Sequence, residues 1–451
     1  MEAPDEQRRG RRTLAIATLA ALLCIPASAF AQSDAERIRD LERKLEQSLH
    51  VIDKLEKRVE QLERSKNAAA TTAAAAPAPM APGAPMPPAE EERIRTLERS
   101  VAQMSSGREA STALAGIPLH GFADVEYHHT TLDRPDNRRS GFALGNLDFF
   151  MTPEFGRVKM LGELNFEIES DTGEVATDLE RLQIGYTFSD SFTGWAGRFH
   201  TPYGYWNNAF HHGIQIQPSA TRPRFIDFED KGGILPAHTV GLWGVGHVNT
   251  GDGSRFTYDA WLANGSRIVD GILDFNAYRD DNTNTAVGGN LGYRFGGAAD
   301  GLLVGLHGLR EEVDIYSGGE KLGRTRLAFG GAYYYLDMKN WESIGEYYRF
   351  RNADLSGDTG THSSWAAFVH LGYTLADVWT PYYRWEKAAL DQADPYFAAQ
   401  ESGRSYTRHV LGIRYLLNPN TSVQLEGNRT REILGEEKSY SELRAVLAIR
   451  F

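Results

Sequence analysis

From about residue 117 to the end of the chain, apolar and polar positions alternate with a period of two. Val158, Met160, Gly162, Leu164, Phe166 and Ile168 share one face, and Arg157, Lys159, Leu161, Glu163, Asn165, Glu167 and Glu169 share the other. The final segment repeats the pattern, with Leu443, Ala445, Leu447, Ile449 and Phe451 against Tyr440, Glu442, Arg444, Ala448 and Arg450. One apolar and one polar face describes an antiparallel strand with a solvated side. Segments of this kind predict strands at 119–131, 142–152, 157–170, 179–189, 193–200, 238–249, 255–264, 285–296, 301–313, 323–336, 341–353, 362–376, 378–390, 404–417, 421–433 and 439–451. Most reach the ~9–11 residues that cross a bilayer at a tilt. Short turns fall at 153–156, 189–192, 250–254, 297–300, 337–340, 376–377 and 418–420, with longer loops between most of them. An even strand number with short turns at one end and long loops at the other predicts an all-β fold. The expected architecture is a 16-stranded antiparallel transmembrane β-barrel over 108–451, whose closure leaves no unpaired edge in lipid.

Before the barrel the period is different. Ile38, Leu41, Leu45, Ser48, Ile52, Leu55, Val59 and Leu62 alternate spacings of three and four, flanked by Glu, Lys and Arg. That seam predicts a coiled-coil helix over 32–66. Residues 67–89 are rich in Ala and Pro, which breaks the helix and makes a semi-rigid extended linker. The heptad resumes at Ile94, Leu97, Val101 and Met104, a second short coil over 90–107. Arg37-Ile38, Arg58-Val59 and Arg93-Ile94 each open an R-h-x-x-h-E stretch that resembles the pattern of trimeric coiled coils, in which an Arg stem covers the seam and its head pairs with a neighbour's Glu. β-branched residues at a with Leu at d favour dimers instead; three matches favour the homotrimer. At the start, Arg8, Arg9, Arg11 and Arg12 precede the apolar run 13–31, which ends Ala29-Phe30-Ala31; this predicts a secretory signal peptide over 1–31.

Composition narrows the class. The chain carries 45 Gly and a net charge of −12, and of its 49 Phe, Trp and Tyr only Phe30 precedes residue 108. Aromatic, Gly-rich sequence fits sheets with aromatic girdles. Past residue 31 no apolar run is long enough for a transmembrane helix. Negative charge excludes nucleic acid as a partner, because a phosphate backbone needs a basic surface. The single cysteine, Cys24, excludes a disulfide framework. Adjacent histidines could collect a metal with His200, but in a loop they are more often solvated, so no metal and no cofactor is expected. Ser and His residues are available for a hydrolase, yet no local motif singles out a pair.

With sixteen strands, a signal peptide and a C-terminal Phe451 facing outward, residues 117–451 resemble the trimeric bacterial outer-membrane porins. The coil is similar to that of some sugar-specific and phosphate-selective porins. Gly197-Arg198-Phe199-His200-Thr201-Pro202-Tyr203-Gly204 resembles the G-x-F-x-x-P-[FY] stretch of the phosphate-selective porin family. The resemblance implies a passive diffusion channel for small hydrophilic solutes and ions, general or weakly selective, in outer-membrane lipid, with Phe451 as an assembly signal. Anion (phosphate) or sugar selectivity is the alternative, and a tether with the coil reaching periplasmic peptidoglycan is a reading of another class. It also implies that the longest connection, 201–237, folds inward to narrow the pore. That loop offers Tyr203, Tyr205, Trp206 and Phe210 as contact surface, and His211, His212, Arg222, Arg224, Asp227, Glu229, Asp230 and Lys231 as charge. Strand parity turns Arg157, Lys159, Arg181 and Arg198 towards the lumen, so that a basic wall opposes the loop's carboxylates.

Overall fold

The computed structural model describes residues 119–132, 140–168, 175–210, 212–228, 232–274, 282–434 and 436–451. The expected signal peptide, the expected coils with their seam (Ile38, Leu41, Leu45, Ile52, Leu55, Val59, Leu62, Ile94, Leu97) and the expected linker lie outside these residues.

Sixteen antiparallel strands span one sheet: β1 Leu119–Thr130, β2 Ser140–Met151, β3 Val158–Ile168, β4 Val175–Ser189, β5 Phe192–His200, β6 His238–Gly251, β7 Ser254–Ala263, β8 Ala286–Arg294, β9 Leu302–Ser317, β10 Glu320–Met338, β11 Trp341–Asp354, β12 Thr361–Tyr373, β13 Trp379–Ala389, β14 Ser405–Asn418, β15 Thr421–Leu434 and β16 Glu436–Arg450. Each pairs with its chain neighbour, and β1 pairs with β16 from Phe122 opposite Arg450 to Thr130 opposite Glu442. The barrel is closed. Gly121 N donates to the Phe451 carbonyl at 2.9 Å and Phe451 N to the Gly121 carbonyl at 3.0 Å, which locks the two chain-end strands together. Three shorter strands add to this frame: Glu154–Phe155 extends the β2–β3 hairpin, and Arg267–Val269 with Ile272–Asp274 forms a ribbon that runs parallel to β9 at Asp314–Tyr316.

The alternation read from sequence is the alternation of burial. Leu443, Leu447, Ile449 and Phe451 are exposed on the outer face, while Val446 and Ala448 are buried inside. The outer face carries a continuous set of exposed Leu, Val, Ile and Phe side chains, a surface suited to lipid rather than water. Aromatic pairs mark its short-turn end, with Trp379 stacked on Tyr415 at 4.0 Å and Trp341 edge-on to Tyr373 at 4.7 Å.

Two connections differ from the expectation of a longer loop. Strands β9 and β10 continue past 313 and start before 323, so only Gly318 and Gly319 separate them, both at positive φ. Strands β15 and β16 likewise approach to within one residue. Regular pairing extends there because Lys321 and Arg324 bridge to Asp314 across the hairpin, and Arg431 bridges to Glu437.

Candidate functional site: the divided lumen

Residues 201–237 leave the wall between β5 and β6 and enter the lumen. From Thr201 to Phe228 every described residue but Asn208 is buried or half-buried. A backbone taken inside a barrel has no ladder to join, so its polar groups need other partners. The wall strands on the far side, β11 to β16, supply them. One Glu346 oxygen accepts from Tyr205 N at 3.1 Å and Trp206 N at 2.6 Å, opening the short helix α1 (Trp206–Ala209); the other accepts from the Tyr348 hydroxyl at 2.6 Å. Gly204 makes this approach possible. It sits at φ 63°, and a Cβ there would stand 2.2 Å from the Glu346 carboxylate.

Further along, the fully buried Arg384 donates to the carbonyls of Thr221 at 2.7 Å and Arg222 at 3.1 Å, and to the hydroxyls of Ser219 and Thr221. Glu426 accepts from Thr221 through both its backbone N–H and its hydroxyl. Glu386 accepts from Arg224 N at 2.8 Å, Arg414 donates to the Gln217 carbonyl at 3.1 Å, and Gln424 donates to the Ile214 carbonyl at 2.9 Å. Outside the loop these ions have their own partners: Arg384 bridges to Glu386 at 2.8 Å and Arg414 to Glu342 at 3.0 Å.

Tyr203, Tyr205, Trp206 and Phe210, expected as contact surface for solutes, are instead nearly fully buried in an aromatic core against β10 to β12. Tyr205 stacks on Tyr335 at 4.5 Å, and Trp206 packs edge-on to Phe368 at 5.6 Å. Arg222 is also internal. It donates to the carbonyls of Phe210 at 2.8 Å and Ile226 at 3.1 Å and to Asn207 Oδ1 at 2.9 Å, knotting the loop on itself. Arg224 reaches the wall at Glu432, 2.8 Å away. Arg157 is exposed in the β2–β3 turn. Arg198 pairs across the ladder with the outward-facing Leu182, and its Nε donates to the Glu180 carbonyl at 2.8 Å. His211, Glu229, Asp230 and Lys231 lie outside the described residues.

Among the described residues two vestibules stand open. One, about 740 Å³, lies at the long-loop end; the other, about 600 Å³, lies at the short-turn end. Among described residues His212 alone lines both. Its Nε2 lies 3.1 Å from Glu180 Oε1 and 3.5 Å from Asn165 Nδ2. Glu180 is held from the other side by His238 at 3.2 Å, while His200 stands 3.9 Å from Glu163. Glu180 and Arg181, neighbours in sequence, both turn inward because β4 bulges there: Glu163 faces Arg181 and Leu164 faces Leu179. Arg181 bridges to Glu163, and with Lys159 it lines the short-turn vestibule.

The long-loop vestibule is lined by Arg222, Arg224, Arg404, Arg408, Lys438 and Arg444 against Asp227, Glu401, Glu432 and Glu442. Asp227 on the loop lies within the electrostatic influence of Arg408 and Arg444 on the wall. Burial pushes the Asp227 carboxyl up to about 6, opposed by the charges of Arg222, Arg408 and Arg444. For His212, burial presses the pKa down, but the Glu180 hydrogen bond and the charges of Glu180, Glu163 and Glu167 outweigh it and raise it.

No protein-family model matches the sequence, and no curated protein matches it. Among solved structures, the anion-selective porin from Comamonas acidovorans aligns with TM-score 0.51 at 12% identity, over 74% of this chain and 99% of that one. OmpT of Vibrio cholerae aligns with TM-score 0.49 at 12% identity, over 74% and 97%. The outer-membrane channel DcaP of Acinetobacter baumannii aligns with TM-score 0.48 at 12% identity, over 77% and 100%. The first of these likenesses is one of fold.

Two outcomes follow from the site. Glu346→Ala strands two buried backbone donors and a hydroxyl, a loss of about 3 kcal/mol from the loop's attachment. Single-channel conductance and its fluctuation should both rise while barrel yield holds; an unchanged trace would mean the loop stays in place without that carboxylate. On pH, Asp227 ionises only above about 6, and His212 keeps its proton to a pH above its ordinary value of about 6.5. The raised His212 pKa means its charged contact with Glu180 is complete below that ordinary value and is lost as pH rises through the raised one. Lowering the pH through both ranges adds positive charge to the lumen, so anion preference should increase. His212→Gln with Asp227→Asn should flatten that dependence, and an equally steep profile in the double variant would assign it to other groups.

Proposed function

We propose that the protein is a passive diffusion channel of the bacterial outer membrane for small hydrophilic solutes and ions, with a weak preference for anions. The observation that carries this reading is the divided lumen. A folded-in loop, anchored to one half of the wall, leaves two vestibules of about 740 and 600 Å³ that meet at His212. Among the described residues both are lined by more cations than carboxylates, six against four at the long-loop end and four against two at the other. This excess stands inside a chain of net charge −12, and charge confined at a narrow passage sets ion preference more strongly than charge on the outside. The fold shared with an anion-selective porin supports the same reading. The short-turn end, where β1 begins at Leu119, is then periplasmic, on the side of the expected coil. The test is the reversal potential of the reconstituted protein in a planar bilayer under a potassium chloride gradient. A potential displaced towards the chloride equilibrium is expected. Displacement towards potassium would overturn the anion preference, and a bilayer without ion current would overturn the channel.

The reading extends to a homotrimer whose N-terminal coils associate in the periplasm, supported by three R-h-x-x-h-E stretches, two on the seam of the first coil and one on that of the second. Replacing Ile38, Ile52 and Val59 by Asp places charge in that seam, which is costly without a partner. Trimers should then dissociate at lower temperature on mild-detergent gels. An unchanged profile would assign the assembly to the barrels alone.

A further inference from the structure

Three arginines of the outer wall stand at the height of lipid head groups. Arg310 of β9 and Arg349 and Arg351 of β11 alternate with the buried Leu309, Glu311, Tyr348, Phe350 and Asn352, so all three point outward, and all three are exposed. Arg351 lies ten residues along β11 from Trp341, which marks the short-turn end. At about 3.4 Å per residue and a tilt of about 40°, that separation is about 26 Å in height. An outer-membrane barrel carries an apolar band about 25 Å tall. The guanidinium groups therefore fall at the rim of that band, on the long-loop side.

Their surroundings do not neutralise them. Glu312 and Asp314, the carboxylates next along the outer face of β9, are held by other cations: Arg326 lies 3.4 Å and Arg324 3.6 Å from Glu312, and Arg324 lies 2.6 Å from Asp314. Among the described residues Arg310, Arg349 and Arg351 make no side-chain hydrogen bond or ion pair. Between them the wall is low. Arg310 faces Ala328 across the ladder, Gly308 faces Gly330, and Gly330 faces Arg349. A furrow of small residues about 10 Å wide, two strand spacings, thus separates Arg310 from the β11 pair. Towards the short-turn end the furrow opens onto the exposed Leu306, Tyr347 and Val369. Tyr347 stacks on Trp365 at 6.3 Å, and Lys387 adds a fourth cation 5.6 Å from the Trp365 ring.

A cationic rim above an apolar wall matches a molecule that carries phosphate above acyl chains. Phosphate oxygens accept from the fork of guanidinium donors, and the chains cover side chains that water would leave exposed. We propose that the rim over β9 to β11 binds a phosphorylated lipid of the outer leaflet. Its phosphate lies in the furrow between Arg310 and the pair Arg349 and Arg351, and its chains lie against Leu306, Tyr347 and Val369. The site needs the barrel to stand in the membrane and is independent of the ion preference of the lumen.

Native mass spectrometry of the full-length protein in mild detergent reads both bound lipid and the number of subunits. The probes are diphosphoryl lipid A, the same lipid without its phosphates, and inorganic phosphate as competitor. Diphosphoryl lipid A should bind at least tenfold more tightly than the dephosphorylated lipid. Millimolar inorganic phosphate should not displace it, because free phosphate has no chains to take out of water. Arg310→Gln, Arg349→Gln and Arg351→Gln together should weaken binding about a hundredfold, about fivefold for each charge. Heat-dependent gel mobility shows that the triple variant has folded; should it not fold, Arg349→Gln alone should weaken binding about fivefold. Arg429→Gln with Arg431→Gln is the control, on the outer face of β15 where Arg431 is already bridged to Glu437, and it should leave binding unchanged. Equal binding of the two lipids, displacement by inorganic phosphate, or wild-type binding by the folded arginine variants would overturn the site. Variants that keep the lipid but lose subunits would also overturn it, and would assign these arginines to contact between copies of the chain.

Discussion

A segment that crosses the inside of a barrel brings peptide groups into a space with no neighbouring strand to pair them. Everything particular to this lumen follows from how that demand is met. Buried peptide groups left without partners each cost on the order of 1–3 kcal/mol, and residues 201–237 contain many. Charged side chains of β11 to β15 meet them: Glu346, Glu386 and Glu426 accept from backbone N–H groups, and Arg384 and Arg414 donate to carbonyls. These ions are buried, and burial of an ion is tolerated only with close partners. The Arg384–Glu386 and Arg414–Glu342 bridges provide them. The polar wall therefore holds the loop, and the loop in turn holds the polar wall.

That attachment is one-sided, and the one-sidedness makes the pore. The loop's aromatic residues fill the lumen against β10 to β12, where Tyr203, Trp206 and Phe225 join Tyr348, Phe350 and Phe368 in one core. Space remains along β1, β2 and β14 to β16 at the long-loop end and along β1 to β10 at the short-turn end. There the segment His212–Ile216 approaches the wall, and the bulge in β4 turns Glu180 inward to meet His212. The narrow point is thus built from a loop histidine and a strand irregularity, while Arg222 and Arg224 serve the loop's attachment.

The barrel was legible in the sequence because its signal is periodic and repeated. Sixteen amphipathic segments separated by turns leave few alternatives, and each strand was found to within a few residues. The two missed hairpins, at Gly318–Gly319 and between Leu434 and Glu436, were read as longer loops because polar residues such as Lys321 and Glu437 look like loop sequence although ion pairs hold them in register. The site was legible only in outline. The length and composition of 201–237 pointed to an inward fold, yet the roles of its residues depend on partners more than a hundred positions away. Arg222 reads in sequence as a charge for solutes and in the structure as a knot of the loop; Trp206 reads as contact surface and proves to be core. Glu346, Arg384, Arg414 and Glu426 gave a weak signal, charged residues at inward parity, which any hydrated pore wall would share. Bulges such as that at Glu180 carry no local mark at all, since one inserted residue changes facing without changing composition.

The central claim is that the loop divides the lumen into two vestibules joined at a narrow point, and thiol labelling tests it most directly. Cys24 is the only cysteine in the chain, and it lies in the expected signal peptide. Arg404→Cys places a thiol in the long-loop vestibule and Thr193→Cys places one in the short-turn vestibule. Reagents are added only from the long-loop side of the reconstituted protein. A small methanethiosulfonate should label both variants, and a bulky polymer-linked maleimide should label Arg404→Cys alone. Labelling of Thr193→Cys by the bulky reagent at the rate seen for Arg404→Cys would contradict the account and describe an undivided, open barrel.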